Sequence, residues 1–458
     1  MLLKSALTIS PHLQIIENNA KALVYDSISG HKLIVNNDSL TVIKMLMQGK
    51  TTSEILAEYD APGLKDLIEA LIKNQLIFTQ PQTEAYAFKN IPRDHLINSG
   101  SLLQHLRLNV TESCNLDCTY CYEKESKVFT RRRTMSWEIA RKGIDLFLQT
   151  TKKHSHKSIS IRFFGGEPLL NWPLVSKCIN YIRELQADAP KIKFTLNTNG
   201  TLLTDEIIKL LAGNNVYIAL SLDGVEKEND KFRKFKGGKG IFTVLDQKIR
   251  LLCQYKARFG ISVVFYDQNL PHLIKLIDYI KNKQDELKYN FNINLSPLAR
   301  IDRQDMDNLK AQDKVSYFIQ TIKYAKQQDV HCFGGLSHFP FNKLLSGVQG
   351  TFCGGAGAEF SIDPDGNIFP CSGLDMKLGH LDTFTQIFSS SVYNKIAARR
   401  TGNLPHCQGC QIEGFCSGGC LADVQYASGD IYGICRDCEF QRELFKELVK
   451  EYILPDKI

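Results

Sequence analysis

The feature that most restricts this chain is Cys114-Asn115-Leu116-Asp117-Cys118-Thr119-Tyr120-Cys121, followed at once by Tyr122. The C-x3-C-x2-C spacing comes just after Leu106-Arg107-Leu108-Asn109-Val110, whose alternation predicts a strand running into a loop. So short a loop places three thiolates on three corners of one cube. A [4Fe–4S] cluster ordinarily takes four cysteines. The next cysteine is Cys178, so one iron would stay open to a small chelating ligand. On spacing alone the alternatives are a zinc loop or three buried thiols.

At 458 residues the chain is too long for one ordinary core, and two to four domains are expected. With 43% hydrophobic and 23% charged residues it reads as a soluble globular protein. No run of about 18 uncharged apolar residues is present, so no membrane span is expected. The start, Met1-Leu2-Leu3-Lys4-Ser5-Ala6-Leu7, lacks a long apolar stretch and a cleavage signal, which predicts a cytoplasmic protein. Its 14 cysteines then point to metal ligation rather than a disulfide framework. The net charge of +7 concentrates in Arg131-Arg132-Arg133 and in 231–239. Such runs steer an acidic peptide or a reductant protein, or form a solvated face. No basic stripe is interleaved with aromatics, and nucleic acid binding is not expected.

Residues 1–90 read as a small domain. Short β-type runs at 13–17, 21–26 and 32–36 are separated by Asn18-Asn19 and Ser29-Gly30, a meander signature. Leu40, Ile43, Met45 and Leu46 follow with helical spacing. Thr51 and Glu54 form a T-x-x-E capping box for a second helix, and Leu64, Leu67, Leu71 and Ile72 mark a third. Strands, helices and an apolar exit strand make a winged-helix-like arrangement. It is similar to the PqqD-like domains, which hold the leader of a ribosomally made precursor peptide as an extra strand on a sheet edge. A structural domain and a nucleic-acid reader of the same shape are the alternatives. The polar, proline-bearing stretch 80–92 reads as a linker.

From about Leu103 short apolar runs alternate with amphipathic helices, which implies a parallel α/β layer. Strands are expected at 106–110, 159–163, 192–196, 216–220, 259–265 and 289–295. The second runs into Gly165-Gly166-Glu167-Pro168, where the glycines permit close backbone approach to a ligand. The cysteine triplet and this GGEP tetrad together resemble the radical S-adenosylmethionine (SAM) enzymes. In that family the open iron chelates SAM, and electron transfer releases a 5′-deoxyadenosyl radical that abstracts hydrogen from substrate. The resemblance implies a partial (β/α)6 TIM-like barrel whose strand ends carry the site. It assigns Tyr122, Gly165, Gly166 and Asn199 to the SAM region, Glu167 to the SAM amine, Ser221 to the ribose and Arg233 to the SAM carboxylate. Cys178, Cys253 and Cys332 read as structural thiols.

Between Cys353 and Cys438 lie eight cysteines, at 353, 371, 407, 410, 416, 420, 435 and 438. Two complete four-cysteine clusters would use them all. This pattern looks like a SPASM domain, the auxiliary-cluster module of radical SAM maturases. The resemblance implies Cys353, Cys371 and Cys420 for one cluster and Cys407, Cys410, Cys416 and a late cysteine for the other. Cys438 is assigned to the second, which leaves Cys435 as fourth ligand of the first. Two zinc sites would also suit sets of four cysteines, but the upstream triplet is a spacing zinc does not favour.

The fold expected is therefore α/β: a winged-helix-like domain (1–90), a radical SAM core barrel (100–305), a bridging helical segment (306–345) and a Cys-rich SPASM domain (346–458). The resemblance implies three [4Fe–4S] clusters and SAM as cofactors. It implies a precursor peptide and an electron donor such as a flavodoxin or ferredoxin as partners. The expected reaction is an oxidative cross-link, a C–C cyclophane or a thioether. The runners-up are a formylglycine-generating sulfatase maturase and a zinc-bearing winged-helix scaffold or regulator. No general base stands out; Tyr266, Asp267 and Arg300, near the ends of late strands, are pocket candidates.

Overall fold

The computed structural model describes residues 7–60, 62–79, 97–125, 132–154, 156–185, 191–298, 308–333, 340–348 and 350–455. The 80–92 linker, Arg131 and Arg300 lie outside them.

The first unit contains β1 (Thr8–Ile9), β2 (Leu13–Asn18), β3 (Lys21–Asp26) and β4 (Lys32–Asn36), then α1 (Asn37–Met47), α2 (Thr52–Glu58), α3 (Leu64–Lys73) and β5 (Ile77–Phe78). β2, β3 and β4 form an antiparallel meander in that order, and β5 returns to pair with β1. Both halves of the Thr51–Glu54 capping box are present.

β3 is buried on both faces, and its alternation divides it between two cores. Ala22 and Val24 pack with Leu40, Ile43, Ile55, Ile68 and Leu71. Leu23 and Tyr25 point the other way, into the main core of the molecule. There Tyr25 packs against Phe415 and Phe445 (ring centroids 6.0 and 5.8 Å) and donates to the Gln411 carbonyl at 3.0 Å. The Gly414 N–H donates to the Ser27 carbonyl at 2.7 Å, and Asn18 donates to that of Leu454 at 2.7 Å. The N-terminal unit is thus seated on the C-terminal cysteine region.

The central sheet contains six parallel strands in chain order: β6 (His105–Thr111), β7 (Ser158–Gly165), β8 (Lys191–Thr198), β9 (Tyr217–Ser221), β10 (Phe259–Phe265) and β11 (Asn292–Pro297). Their apolar faces are covered by amphipathic helices such as Trp137–Lys153, Trp172–Glu184 and Phe242–Gln254. Parallel strands covered this way are buried and need crossover helices. The sheet also extends at both sides, beyond the six expected strands. β12 (Cys332–Phe333) adds parallel to β11, and β13 (Glu359–Ile362) adds parallel to β6. β14 (Asn367–Phe369) and β15 (Gly379–His380) continue antiparallel beyond β13. Strands that precede Cys371 therefore belong to the same sheet as the six parallel strands.

Arg133, part of the basic run, is a tie between these regions: it pairs with Glu112 on one side and with Asp363 (3.5 Å) and Asp365 on the other. Among the described residues no helix is long and apolar enough to cross a membrane.

Candidate active site

A bulge in β6 between Asn109 and Thr111 turns the chain out of the strand into the cysteine loop. β7 ends beside it at Gly165 and Gly166. Gly165 has φ +135°, and a Cβ there would lie 2.1 Å from the Thr111 carbonyl oxygen; one on Gly166 would lie 2.4 Å from that of Ser113. The Gly166 and Glu167 N–H groups donate to those same carbonyls, each at 2.9 Å. The close approach that requires glycine is thus made to the backbone entering the cysteine loop, whereas the sequence suggested approach to a ligand.

Glu167 is fully buried. Its Oε1 accepts from Thr198 Oγ1 (2.7 Å) and the Leu169 N–H (3.0 Å), and Oε2 accepts from the Asn199 N–H (2.7 Å). A carboxylate has about four acceptor positions, so three donors leave one open. Burial pushes the Glu167 carboxyl up to about 7, against the hydrogen bonds that favour its ionised form. Asn199 is occupied with the cysteine loop: Nδ2 donates to Asn115 Oδ1 (2.9 Å) and lies 3.9 Å from Cys114 Sγ, while Oδ1 accepts from Thr201. Asn115 donates back to Thr201 Oγ1 at 2.8 Å.

These pieces surround a cavity of about 270 Å3 at the carboxyl ends of the parallel strands. Cys114, Cys118 and Cys121 line it together with Tyr122, Gly165, Gly166, Glu167, Asn199, Ser221 and Arg233. Every residue that the resemblance assigned to SAM thus faces one space. Burial pushes the Cys114 thiol up to about 12.

Arg233 does not belong to the solvated basic face suggested for its neighbours. Its Nε donates to Asp223 Oδ2 at 2.6 Å, and its guanidinium lies 5.4 Å from the Tyr120 ring centre. Asp223 also accepts from the Tyr120 hydroxyl and from the Val264 N–H (2.9 Å). Asp223 and Tyr120 are site residues that the sequence reading did not single out. The one signal for Asp223 was its place after β9, in Ser221-Leu222-Asp223-Gly224.

Two pocket candidates are placed elsewhere. Tyr266 packs in an aromatic group with Tyr120 and Phe232, and Asp267 accepts from the Asn308 and Leu309 N–H groups and faces Lys314 at 3.6 Å. Neither lines the cavity itself; both line an adjoining pocket that shares Pro297 and Leu298 with it.

On the far side of β6, the C-terminal cysteines fall into neighbouring sets. Cys353 lies within electrostatic reach of Cys371 and Cys420. Cys416 lies within reach of Cys407, Cys410 and Cys438. The Cys435 thiol donates to Asp423 Oδ2 at 3.7 Å and packs on Gly419, next to Cys420, and it also lies within electrostatic reach of Cys416, of the other set. Among the described residues no three His, Cys, Asp or Glu side chains converge to hold a single metal ion. A four-iron cluster spreads its thiolates over four irons and needs no such point. Tyr122 connects front and rear: its hydroxyl is 3.3 Å from Ser372 Oγ, beside Cys371, and Ser372 also accepts from Arg107.

Residues 108–280 match the family model described as the radical SAM superfamily, and 353–411 match that of the SPASM iron–sulfur cluster-binding domain. The radical SAM cyclopropyl synthase TigE of Paramaledivibacter caminithermalis is 23% identical over 98% of this chain and 97% of its own length. A cysteine-type anaerobic sulfatase-maturating enzyme of Clostridium perfringens is 26% identical over 75% of this chain and 94% of its own. Among solved structures, anSMEcpe with bound AdoMet superposes with a TM-score of 0.64 at 21% identity, covering 77% of this chain and 94% of that one. Streptococcus suis SuiB bound to its precursor peptide SuiA gives 0.55 at 15% identity, covering 95% of this chain and all of that one. At these identities the structures bear on the fold. The two domains imply iron–sulfur clusters and SAM as cofactors. The chain is a radical SAM enzyme with a SPASM domain, similar to the cyclopropyl synthase TigE and to anaerobic sulfatase-maturating enzymes.

Proposed function

We propose that this enzyme binds a ribosomally made precursor peptide and installs an oxidative cross-link in it, a C–C cyclophane or a thioether. The observation that carries this is the convergence of Cys114, Cys118 and Cys121 with Glu167, Ser221 and Arg233 on one cavity. The three thiols fit three corners of a cluster. The open acceptor position on Glu167 suits the SAM amine, Ser221 the ribose and Arg233 the carboxylate. When bound, the cluster and SAM supply a hydrogen-abstracting radical. Asp223 holds the Arg233 guanidinium in place, and Asn199 and Asn115 hold the cysteine loop against the end of β8. The parallel strands and their helices shield the reacting centre from water.

Two auxiliary clusters, on Cys353, Cys371, Cys420 and Cys435 and on Cys407, Cys410, Cys416 and Cys438, would take up the electron released on forming the product. The units proposed are those expected at 1–90, 100–305, 306–345 and 346–458. β4 is an outer strand of the N-terminal meander and exposes half of Ile34. We assign it the leader peptide, added as a further strand by backbone pairing. A flavodoxin or ferredoxin in the cytoplasm would supply the reducing electron.

The test is anaerobic reconstitution of the full chain, followed by incubation with SAM, reductant and a co-expressed precursor. About twelve irons per chain, 5′-deoxyadenosine release and a peptide lighter by a pair of hydrogens are expected. Stoichiometric zinc in a colourless protein overturns the reading. A formylglycine-bearing sulfatase peptide as product would instead establish the maturase reading.

A further inference from the structure

The loop Ser417-Gly418-Gly419 joins Cys416, of one rear cysteine set, to Cys420, of the other. All three residues have positive φ (52°, 80° and 75°), a run that only a glycine-rich segment adopts readily. Their carbonyls converge on a single guanidinium. Arg399 donates from Nη1 to the Ser417 and Gly419 oxygens (both 3.2 Å), from Nη2 to that of Gly418 (2.7 Å), and from Nε to that of Ile431.

Arg399 is only 1% exposed, and the charges within its reach are the thiols of Cys416, Cys420, Cys353 and Cys407, drawn from both sets. A second cation lies in the same region. Lys343, 2% exposed, donates to the Thr351 and Phe352 carbonyls (2.6 and 3.2 Å) and lies within reach of Cys416 and Cys353. Among the described residues neither cation is paired with a carboxylate.

Burying a cation without a counter-charge costs far more than burying a neutral amide. A neutral donor would hold the 417–419 carbonyls at less cost, so holding the loop does not explain why a charge is there. The anions available are the cysteine sulfurs once they are ligated as thiolates. Reduction makes a thiolate-bound cluster more negative, and a fixed cation nearby favours that form.

We propose that Arg399, with Lys343 beside it, is a positioning charge shared by the two rear clusters that raises the reduction potential of both. This rests on the iron–sulfur reading of the rear cysteines, so cluster content and potential must be measured separately.

The full chain and its R399K, R399Q and K343M variants are reconstituted anaerobically. Iron is counted, and reduced-cluster EPR signals are followed against potential. The rear signals are those that persist when Cys114, Cys118 and Cys121 are replaced by alanine. Expected for R399Q and K343M is at least a tenfold shift of the reduction equilibrium toward the oxidised form, about 59 mV for a one-electron couple. R399K should restore the parent value. Unmoved potentials in iron-replete R399Q overturn the proposal, as do equal shifts in R399K and R399Q, which would reflect the loop's shape rather than its charge. If R399Q fails to retain iron, K343M decides: the parent potential there also overturns the proposal. Absence of rear iron in the parent protein sinks the cluster reading itself.

Discussion

The front and rear cysteine sites solve different problems with the same side chain. At the front, three half-buried thiols line an open cavity, and the polar groups around them come from the ends of successive strands. At the rear the thiols pack among the loops around 353–438, and buried cations held by backbone carbonyls lie within reach of both sets. The front thiols open onto a cavity. The rear thiols close around buried positive charge. What separates them is the tethering of each loop: to the end of a central strand through Gly165 and Gly166 at the front, to Arg399 at the rear.

The sharpest way to break this comparison is to remove each site in turn. C118A should abolish SAM cleavage to 5′-deoxyadenosine and lower iron by about a third of the full complement. C438A should remove a comparable share of iron yet leave peptide-free SAM cleavage in place. Chromatography of 5′-deoxyadenosine with an iron assay checks both, and loss of peptide-free cleavage in C438A would show that the sites are not separable.

Next in size is D223A, which leaves Arg233 buried without its partner. About 3–5 kcal/mol of stability should be lost, read by urea unfolding, and the KM for SAM should rise. G166A should cost about 1–3 kcal/mol, because the new Cβ meets backbone and not a movable side chain. Front-cluster occupancy should fall more than rear occupancy, as iron and EPR quantitation would show.

The smallest effect is a pH slope. The folded Glu167 carboxyl titrates at about 7, above the ordinary 4.5. Below about 4.5 both states are protonated. Between the two values the folded state retains a proton that the unfolded chain has released, so stability falls as pH rises and levels off above about 7. E167Q should flatten that part of the curve, measured as unfolding midpoints of the metal-free chain across pH 4–8.

Much of the scaffold was legible locally. The six central strands follow from apolar alternation, and the Thr51–Glu54 cap follows from its spacing. The three front cysteines and the residues assigned to SAM were legible through their motifs. Their partners were not. Asp223 is an unremarked strand-end carboxylate until helix Glu226–Phe232 carries Arg233 back onto it. Tyr25 reads as one more alternating strand residue, although its ring is what joins the first unit to Phe415 and Phe445. Arg399 follows no motif, and only the converging carbonyls single it out.

The chain by itself determined the elements and the reactive atoms, because strand period, capping and cysteine spacing act over a few residues. Only the tertiary structure decided which charge faces which. That β13 extends the central sheet beside β6, that β3 is shared by two cores and that one guanidinium lies within reach of two cysteine sets all depend on contacts between distant segments. Such contacts are selected by burial and charge compensation in three dimensions, and no local pattern encodes them.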